Sequence, residues 1–150
     1  MCTKRDILDN PLHQATKEIT CYKAVVVPHE LRGKFKTDLL RFFGKLKHYE
    51  TYFQDTPITI GATVHAEPVY TKAQLKSIEE SETRLAEGFI HSFKHKQDAI
   101  DFVKMHISHN MALVKCIIPI GAYYFEGFND WNGEEHYAST ALKYVKVIKH

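Results

Sequence analysis

Histidines are the residues of this chain that most readily suggest chemistry, and four of the ten lie within residues 87–110, "EGFIHSFKHKQDAIDFVKMHISHN". His106 and His109 are three residues apart on a predicted helix, so they could bind a metal ion together. No Asp, Glu or Cys lies three or four residues from either of them to complete a set of ligands. His91 and His95 are separated by a predicted strand-to-helix boundary and are not expected to share a face. We therefore predict no metal site, and interpret the histidines at the helix end as cations that suit its dipole.

Covalent catalysis is not indicated by the residues around His91. Ser92 is its neighbour, but successive side chains of a strand point to opposite faces, so the two cannot pair directly. The chain has no G-x-S-x-G motif and no glycine-rich phosphate loop. Glu134 and Glu135 could act as general acid and base if their environments differ, and the alternative is a solvated turn. These patterns predict no catalytic residue and favour a protein that binds over one that catalyses.

Five aromatic residues fall within nine positions of a predicted loop: Tyr123, Tyr124, Phe125, Phe128 and Trp131. Such rings can form a stacking platform for a nucleobase. The alternative is that most of them pack down as a satellite cluster of the core. We expect the rings to form one side of a hollow opposite the turn at residues 91–96. Lys94 and Lys96 in that turn, together with Arg84, could contact phosphate. The candidate ligand-binding residues are His91, Ser92, Lys94, Tyr123, Tyr124, Trp131 and Glu135.

The helices that would position these side chains are predicted from apolar spacing. Residues 96–109 have apolar side chains along one helical face and form the main predicted helix. Asn110 can take the left-handed position after it. A short helix is predicted over residues 36–43, while residues 71–88 are either a short surface helix or an ordered loop. We therefore expect one main helix, about residues 96–109, and one or two short ones.

Strands account for most of the remaining pattern. Residues 21–27 are β-branched and apolar throughout, which is typical of a central strand. The run from residue 112 is the strongest strand, and Pro119 predicts that it lies at an edge or bulges there. Strands over residues 45–52 and an extended segment broken at Gly61 are also expected. The order of strands, helix and strands predicts a single α+β domain over residues 21–150 with a mostly antiparallel sheet, preceded by a polar lead-in at residues 1–20.

The composition is that of a soluble globular protein of 150 residues, with 44% hydrophobic and 25% charged residues. A net charge of +2 gives no argument for binding nucleic acid or a membrane. The three cysteines match no zinc or redox motif and are interpreted as free thiols in a reducing compartment. The first twenty residues are too polar for a signal peptide. We expect a cytoplasmic protein with no membrane partner and no cofactor, while the oligomeric state stays open.

Five segments and their order suggest a resemblance to a known group of proteins: "CYKAVVV", "TIGATVHAE", "EGFIHSFKHKQDAIDFV", "VKCIIPIGAYYFEG" and "YASTALKYVKVI". Over residues 21–148 the chain resembles a group of small uncharacterised proteins carried by tailed phages, prophages and gut bacteria. The resemblance implies no catalytic residue, because the group has no settled activity. For a phage-encoded protein, the cytoplasm would be that of the host cell.

The layout is also similar, more distantly, to the ADP-ribosyltransferase-like fold, in which a strand, a helix, a strand ending in "P-G" and an acidic motif follow one another. Glu134 and Glu135 are the only acidic match to that motif. The spaced Glu-x-Glu pair of the fold is absent, and so is an early arginine or histidine anchor. This departure argues against transferase activity and leaves a binding pocket without chemistry.

Three functions follow from these observations. The first is a small binding protein that holds a nucleotide-like ligand between residues 123–131 and residues 91–96. One version of it is a phage counter-defence protein that sequesters a host immune signalling nucleotide. The second is a divergent nicotinamide-nucleotide-using transferase with Glu135 as its acid. The third is an interaction module whose exposed aromatic residues contact a host protein.

Overall fold

A computed structural model describes residues 11–52, 56–67, 69, 71–80, 89–106, 110–128 and 132–148. The helices are α1 (Phe35–Phe42), α2 (Lys72–Glu80) and α3 (Lys96–Met105), and a single 3-10 turn covers His29–Leu31. The strands are β1 (His13–Gln14), β2 (Ile19–Val26), β3 (His48–Thr51), β4 (Pro57–Thr59), β5 (Thr63–His65), β6 (Ile90–Phe93), β7 (Met111–Ile118), β8 (Tyr123–Phe128), β9 (Glu135–Ser139) and β10 (Ala141–Ile148).

The strands pair antiparallel in one sheet that has two halves. One half has the order β1-β8-β9-β6 and the other has the order β2-β7-β10-β5. A single residue pair, Tyr22 opposite Phe93, joins the halves where β2 meets β6. Further along the same edge, β2 pairs with β3, which pairs with β4. The α+β class with an antiparallel sheet is therefore confirmed, although strands dominate over helices.

Among the described strands the chain crosses five times from one half of the sheet to the other, and three of these crossings lie together: β1 to β2, β7 to β8, and β9 to β10. The first two crossings touch, because the Ala15 N–H donates to Ala122 O and the Gly121 N–H donates to Ala15 O, both at 2.8 Å. The Thr140 N–H at the third crossing donates to Tyr123 O at 2.9 Å. Gly121 has φ of +87°, a conformation that side-chain-bearing residues rarely adopt. The start of β8 is thus held by all three crossings.

The main hydrophobic cluster contains alternate residues of the long strands, including Cys21 and Val25 of β2 and Val114, Cys116 and Ile118 of β7. A second cluster lies on the other side of these strands, where α3 packs against the sheet. Its buried members are Ala24, Val26, Phe93, Ala99, Val103, Met111 and Leu113. A third cluster joins Leu75 of α2 to Phe89, Phe125 and Ala138. Both sides of β2 and β7 are therefore covered, as expected for residues 21–27.

Helix α3 begins at Lys96 as predicted and ends at Met105, so it is shorter than the predicted 96–109; residues 107–109 lie outside the described part of the chain. The predicted helix over 36–43 is α1, and α2 accounts for the first part of residues 71–88. Asn110 has φ of +50° and Gly61 has φ of +96°, as their predicted roles require. These helices and turns were predictable because the spacing of apolar residues and the positions of turn-forming residues indicate the same boundaries.

Two predictions about residues 111–131 are wrong. Strand β7 lies between β2 and β10 and is not at an edge. Pro119 follows its last residue, so the missing N–H leaves the sheet hydrogen bonds intact. The aromatic segment predicted as a loop is strand β8 over Tyr123–Phe128, because it pairs with β1 and β9. Its side chains therefore alternate between two faces and do not form one wall.

Candidate functional site

Polar and aromatic side chains converge on one face of the β1-β8-β9-β6 half. Glu126 of β8 lies opposite Tyr137 of β9, and His13 of β1 lies opposite Tyr124. Directly opposed residues of antiparallel strands share a face. Lys94 and His95 follow β6 and reach the same place. We call this surface the tyrosine–carboxylate face, and its members are His13, Lys94, His95, Tyr124, Glu126, Glu135 and Tyr137.

Three rings form its aromatic part. The Tyr124 ring stacks on His13 with centroids 5.2 Å apart and meets the Tyr137 ring edge to face at 5.7 Å. The Lys94 ammonium lies 6.0 Å from the centroid of Tyr137, within reach of a cation–π contact. Tyr137 is buried and Tyr124 is half-buried. A planar group can therefore approach the partly exposed ring of Tyr124, beside the buried ring of Tyr137.

A compact charge network lies beside the rings. Lys94 Nζ is 3.2 Å from Glu135 Oε1 and 3.6 Å from Glu126 Oε2. The other oxygen of Glu135 is 2.6 Å from His95 Nε2. The Lys94 N–H also donates to Glu135 O at 3.1 Å, which fixes the two backbones. Lys94 is thus held between two carboxylates, and Glu135 between two nitrogen donors.

The surroundings shift the ionisation of these groups in known directions. The hydrogen bonds from His95 and then Lys94 hold the pKa of Glu135 below its usual value. Partial burial lowers the pKa of Lys94, but the hydrogen bond to Glu135 and the charge of Glu126 outweigh it and raise the value overall. Burial raises the pKa of Tyr137 and, together with Glu126, that of Tyr124. At neutral pH the lysine is protonated, Glu135 is ionised and both tyrosines are neutral.

This arrangement suits recognition better than group transfer. One lysine and two carboxylates give a formal charge of −1 when His95 is neutral and zero when it is protonated. Neutral tyrosine hydroxyls donate and accept hydrogen bonds but are weak nucleophiles at neutral pH. Two serines share this side of the sheet, Ser92 opposite Tyr137 and Ser139 opposite Tyr124, and both are buried. The face therefore offers a ring to stack on, with donors and acceptors around it.

The predicted ligand-binding residues fall into different places. The structure brings Lys94, Tyr124 and Glu135 together on the tyrosine–carboxylate face. Ser92 points to the same side of the sheet but is buried beneath the face, and the Ser92 side chain interacts with the buried thiol of Cys21. Trp131 and Arg84 lie outside the described residues.

His91 and Tyr123 lie on the opposite side of the same strands, away from the face. His91 is opposite Ala138, which packs against Phe125 in the third cluster. Burial, with the charges of Lys23 and His136, lowers the pKa of His91 to about 4. Alternation along β6 and β8 separates each of these residues from its neighbour on the face.

Tyr123 lines a small cavity together with His65, Ala66, Val69, Leu75 and Thr140. Its volume is about 170 Å³, whereas pockets for drug-sized ligands span roughly 300–1,000 Å³. The cavity is too small to enclose a nucleotide. Where the aromatic segment approaches residues 91–96, Tyr137 belongs to the main hydrophobic cluster and Tyr124 packs against it.

A half-buried lysine, Lys23, links the two halves of the sheet. Lys23 of β2 donates from Nζ to His91 O at 2.6 Å. Burial lowers the pKa of Lys23, although Cys116 and Cys21 oppose the shift. Both cysteines are free and buried, and burial raises the pKa of each thiol. These thiols are poor nucleophiles, and both side chains pack in the main hydrophobic cluster.

Sequence reasoning missed His13, Glu126 and Tyr137 as members of the site. Glu126 follows Tyr124 by two positions, so a strand assignment for residues 123–128 would have placed both on one face. His13 and Tyr137 reach the face only through the pairing of β1 and β9 with β8. No local pattern of a single sequence contains that register.

Comparisons of the chain with protein-family models, curated proteins and solved structures give no match. Within the described ranges, no three His, Cys, Asp or Glu side chains are grouped so that they could hold a metal ion. None of the helices described has the length and apolar character needed to cross a bilayer.

Proposed function

We propose that the protein binds a nucleotide-like small molecule on the tyrosine–carboxylate face and holds it chiefly through its planar base. The observation that carries the proposal is the Tyr124–Tyr137 ring pair beside the Lys94–Glu135–His95 network. Stacking of a base on an aromatic ring contributes about 1–3 kcal/mol by alanine substitution. Because Tyr124 is half-buried and held by His13, little side-chain entropy is lost when a base stacks on it.

The charge network supports contacts to the base rather than to phosphate. Lys94 is already neutralised by Glu126 and Glu135, so a phosphate would compete with both carboxylates. The carboxylate oxygens can instead accept hydrogen bonds from the N–H groups of a base edge. We expect a bound nucleotide to project its phosphates toward solvent, so affinity depends on the base more than on the number of phosphates.

Sequestration of a host signalling nucleotide, in the manner of a phage counter-defence protein, is the biological version of this proposal. Such a role needs binding without turnover. Neutral tyrosines with raised pKa values and a neutralised lysine support it, because they supply contacts but no activated nucleophile.

The test is a thermal-shift and calorimetry screen of nucleosides, mononucleotides and cyclic dinucleotides. A ligand at a hundred times its Kd stabilises the folded state by about 2.7 kcal/mol, which raises Tm by roughly 5–10 °C for a chain of this size. Tyr124→Leu should weaken binding about tenfold, while Tyr124→Phe, which keeps the ring, should retain most of it. Lys94→Ala is compared with Lys143→Ala on β10, an exposed lysine in the other half of the sheet. Binding that is unaffected by Tyr124→Leu would place the ligand elsewhere.

The 2.6 Å contact between Glu135 and His95 favours a second candidate, an ADP-ribosyltransferase-like enzyme. In that case Glu135 would be the acidic residue that acts on a nicotinamide nucleotide. Consumption of the nicotinamide cofactor that is lost in Glu135→Gln but kept in Glu126→Gln would support the enzyme over the binding protein. Unchanged cofactor after prolonged incubation would remove this candidate.

A further inference from the structure

The most exposed large apolar side chains of helix α1 form a continuous stripe that faces away from the protein. Phe35 is 82% exposed, Leu39 44%, Phe42 75% and Phe43, directly after the helix, 58%. They follow one another at intervals of four, three and one residues, so they lie within about 100° of arc around the helix. We call these four residues the phenylalanine stripe. The opposite side of α1 contains Thr37, which is buried, and Leu40, which packs against the main cluster.

The orientation of α1 is fixed by several contacts. Arg41 donates to Asn110 Oδ1 at 3.2 Å and to Met111 O at 3.0 Å, which ties the helix to the start of β7. Leu40 O accepts hydrogen bonds from Lys45 N at 2.8 Å and Leu46 N at 3.2 Å. Turning the stripe inward would break these bonds and remove Leu40 from the core. Its exposure is therefore built into the fold.

The segment around the stripe is strongly basic. Residues 32–47 contain six Lys or Arg residues and one Asp, a net charge of +5, whereas the whole chain has +2. Two of the six serve the protein itself, since Arg32 donates to Val27 O at 2.8 Å and Arg41 holds α1 in place. The remaining four are exposed lysines: Lys34, Lys36, Lys45 and Lys47. An occupant of this surface must therefore be apolar at its centre and anionic around it.

We propose that α1 is a peripheral membrane-binding element, whose phenylalanine stripe enters the headgroup–acyl boundary of an anionic bilayer while the four lysines contact lipid phosphates and carboxylates. Interfacial helices have Phe and Leu on one face and Lys or Arg around it. A lipid surface presents diffuse negative charge, which flexible lysines can meet without fixed geometry. Insertion of four side chains needs no spanning segment, so it agrees with the absence of a membrane-crossing helix among those described.

The composition of the stripe favours lipid over protein. Protein interfaces concentrate binding energy in Tyr, Trp and Arg, and lysine is depleted from them. The free cations here are all lysines, and the exposed rings are all phenylalanine. A second copy of this chain is disfavoured because it would bring another charge of +5 against the first. The expectation of no membrane partner followed from the overall charge of +2, which hides this local excess.

The test is co-sedimentation of the full chain with vesicles of phosphatidylcholine alone and of equal parts phosphatidylcholine and phosphatidylserine. We expect binding to the anionic vesicles only, with a decrease as salt is raised, because the charges are exposed and screened. The double variant Phe35→Ser/Phe42→Ser should reduce binding at least tenfold. Met105→Ser removes an equally exposed apolar residue from α3 and should have no effect.

Charge variants separate the two contributions to binding. Lys34→Ala and Lys36→Ala should each weaken binding about fivefold, since a lysine near an anionic surface contributes about 1 kcal/mol. Lys143→Ala and Lys146→Ala on β10 are the matched controls. Failure of the unmodified chain to sediment with anionic vesicles, or sedimentation unchanged by the double phenylalanine variant, would overturn the proposal. Polyglutamate binding that is as tight as vesicle binding and is lost in the double phenylalanine variant would also overturn it, because it would indicate an acidic protein partner, and so would self-association lost in that variant.

Discussion

Helices α1 and α3 have similar lengths and similar amphipathic patterns, yet they present opposite faces to the protein. Helix α3 buries Ala99 and Val103 against the sheet and exposes its polar side. Helix α1 buries Thr37 and exposes Phe35 and Phe42. An apolar stripe therefore shows which residues share a face, but it does not show whether the core of the same chain covers that face. The contacts of α1 through Arg41 and Leu40 are what decide its direction.

The largest difference between the helices should appear when an acidic residue replaces an apolar one on each. Val103→Asp places an unpaired carboxylate in the cluster beneath α3 and should lower the free energy of unfolding by about 3 kcal/mol or more. Phe42→Asp places a carboxylate on the exposed stripe and should change the free energy of unfolding by less than about 0.5 kcal/mol. Urea unfolding of both variants measures this. Equal losses would mean that the stripe is covered in solution.

Acid should loosen the sheet on the α3 side first. Burial lowers the pKa of His91 and of His136 to about 4, against an ordinary value of 6.5. Between these values the unfolded chain binds more protons than the folded one, so stability falls as the pH drops from 6.5 toward 4 and returns as it rises. The loss at pH 5 is roughly 2 kcal/mol per histidine. Because His136 packs on Phe93 at 4.8 Å, amide exchange in β6 and α3 should rise before exchange in β10. A flat stability profile from pH 7 to pH 5 would contradict this.

Two adjacent leucines provide a sharper comparison within α1. Leu40 packs against the main cluster, so Leu40→Ala should lower the free energy of unfolding by about 1–2 kcal/mol. Leu39→Ala removes a side chain from the stripe and should cost less than about 0.5 kcal/mol. Both substitutions are the same chemically and keep helix propensity, so denaturant midpoints compare burial alone. A larger effect at Leu39 would reverse the assigned orientation.

The smallest effect concerns the contact that ties the start of α3 to the sheet. Neither N-cap residue, His95 of α3 or Lys34 of α1, makes a capping hydrogen bond from its side chain, but His95 Nε2 lies 2.6 Å from Glu135 Oε2 of β9. The lowered pKa of Glu135 means that its contribution is present at neutral pH and is lost as the pH falls below about 4.5. Because this carboxylate is half exposed, Glu135→Gln should cost no more than about 0.5 kcal/mol at pH 7 and less than that at pH 3. Thermal unfolding at the two pH values checks this.

The sequence was informative where local chemistry and the fold agree. Residue 96 begins α3, Gly61 separates β4 from β5, and residues 21–27 match a strand covered on both sides. Of the candidate site residues, Lys94, Tyr124 and Glu135 meet on one face. Once β6 and β8 are known to be strands, the alternation of side chains along them predicts the sides on which Lys94 and Tyr124 lie.

The rest of the site depends on contacts between distant parts of the chain. Tyr137 faces Glu126 because β9 pairs with β8 in one particular register. The sequence predicts a loop where the aromatic residues lie, and only pairing with β1 and β9 makes Tyr123–Phe128 a strand. The direction of α1 has the same origin, since Asn110 and Met111 lie about seventy residues beyond Arg41. Single-sequence patterns do not contain this information.

The pairing of β2 with β7 has a consequence for how the chain is made. Ile19 pairs with Ile118 and Val26 with Met111, so the central ladder joins segments 99 and 85 residues apart. A ribosome that adds about 5–20 residues per second leaves β2 waiting roughly 5–20 s for its partner. During that interval the apolar, β-branched segment of β2 is outside the ribosome without its main pairing partner, β7. Chaperone capture of the nascent chain at residues 19–27, ending when β7 leaves the exit tunnel, is the expected cellular outcome.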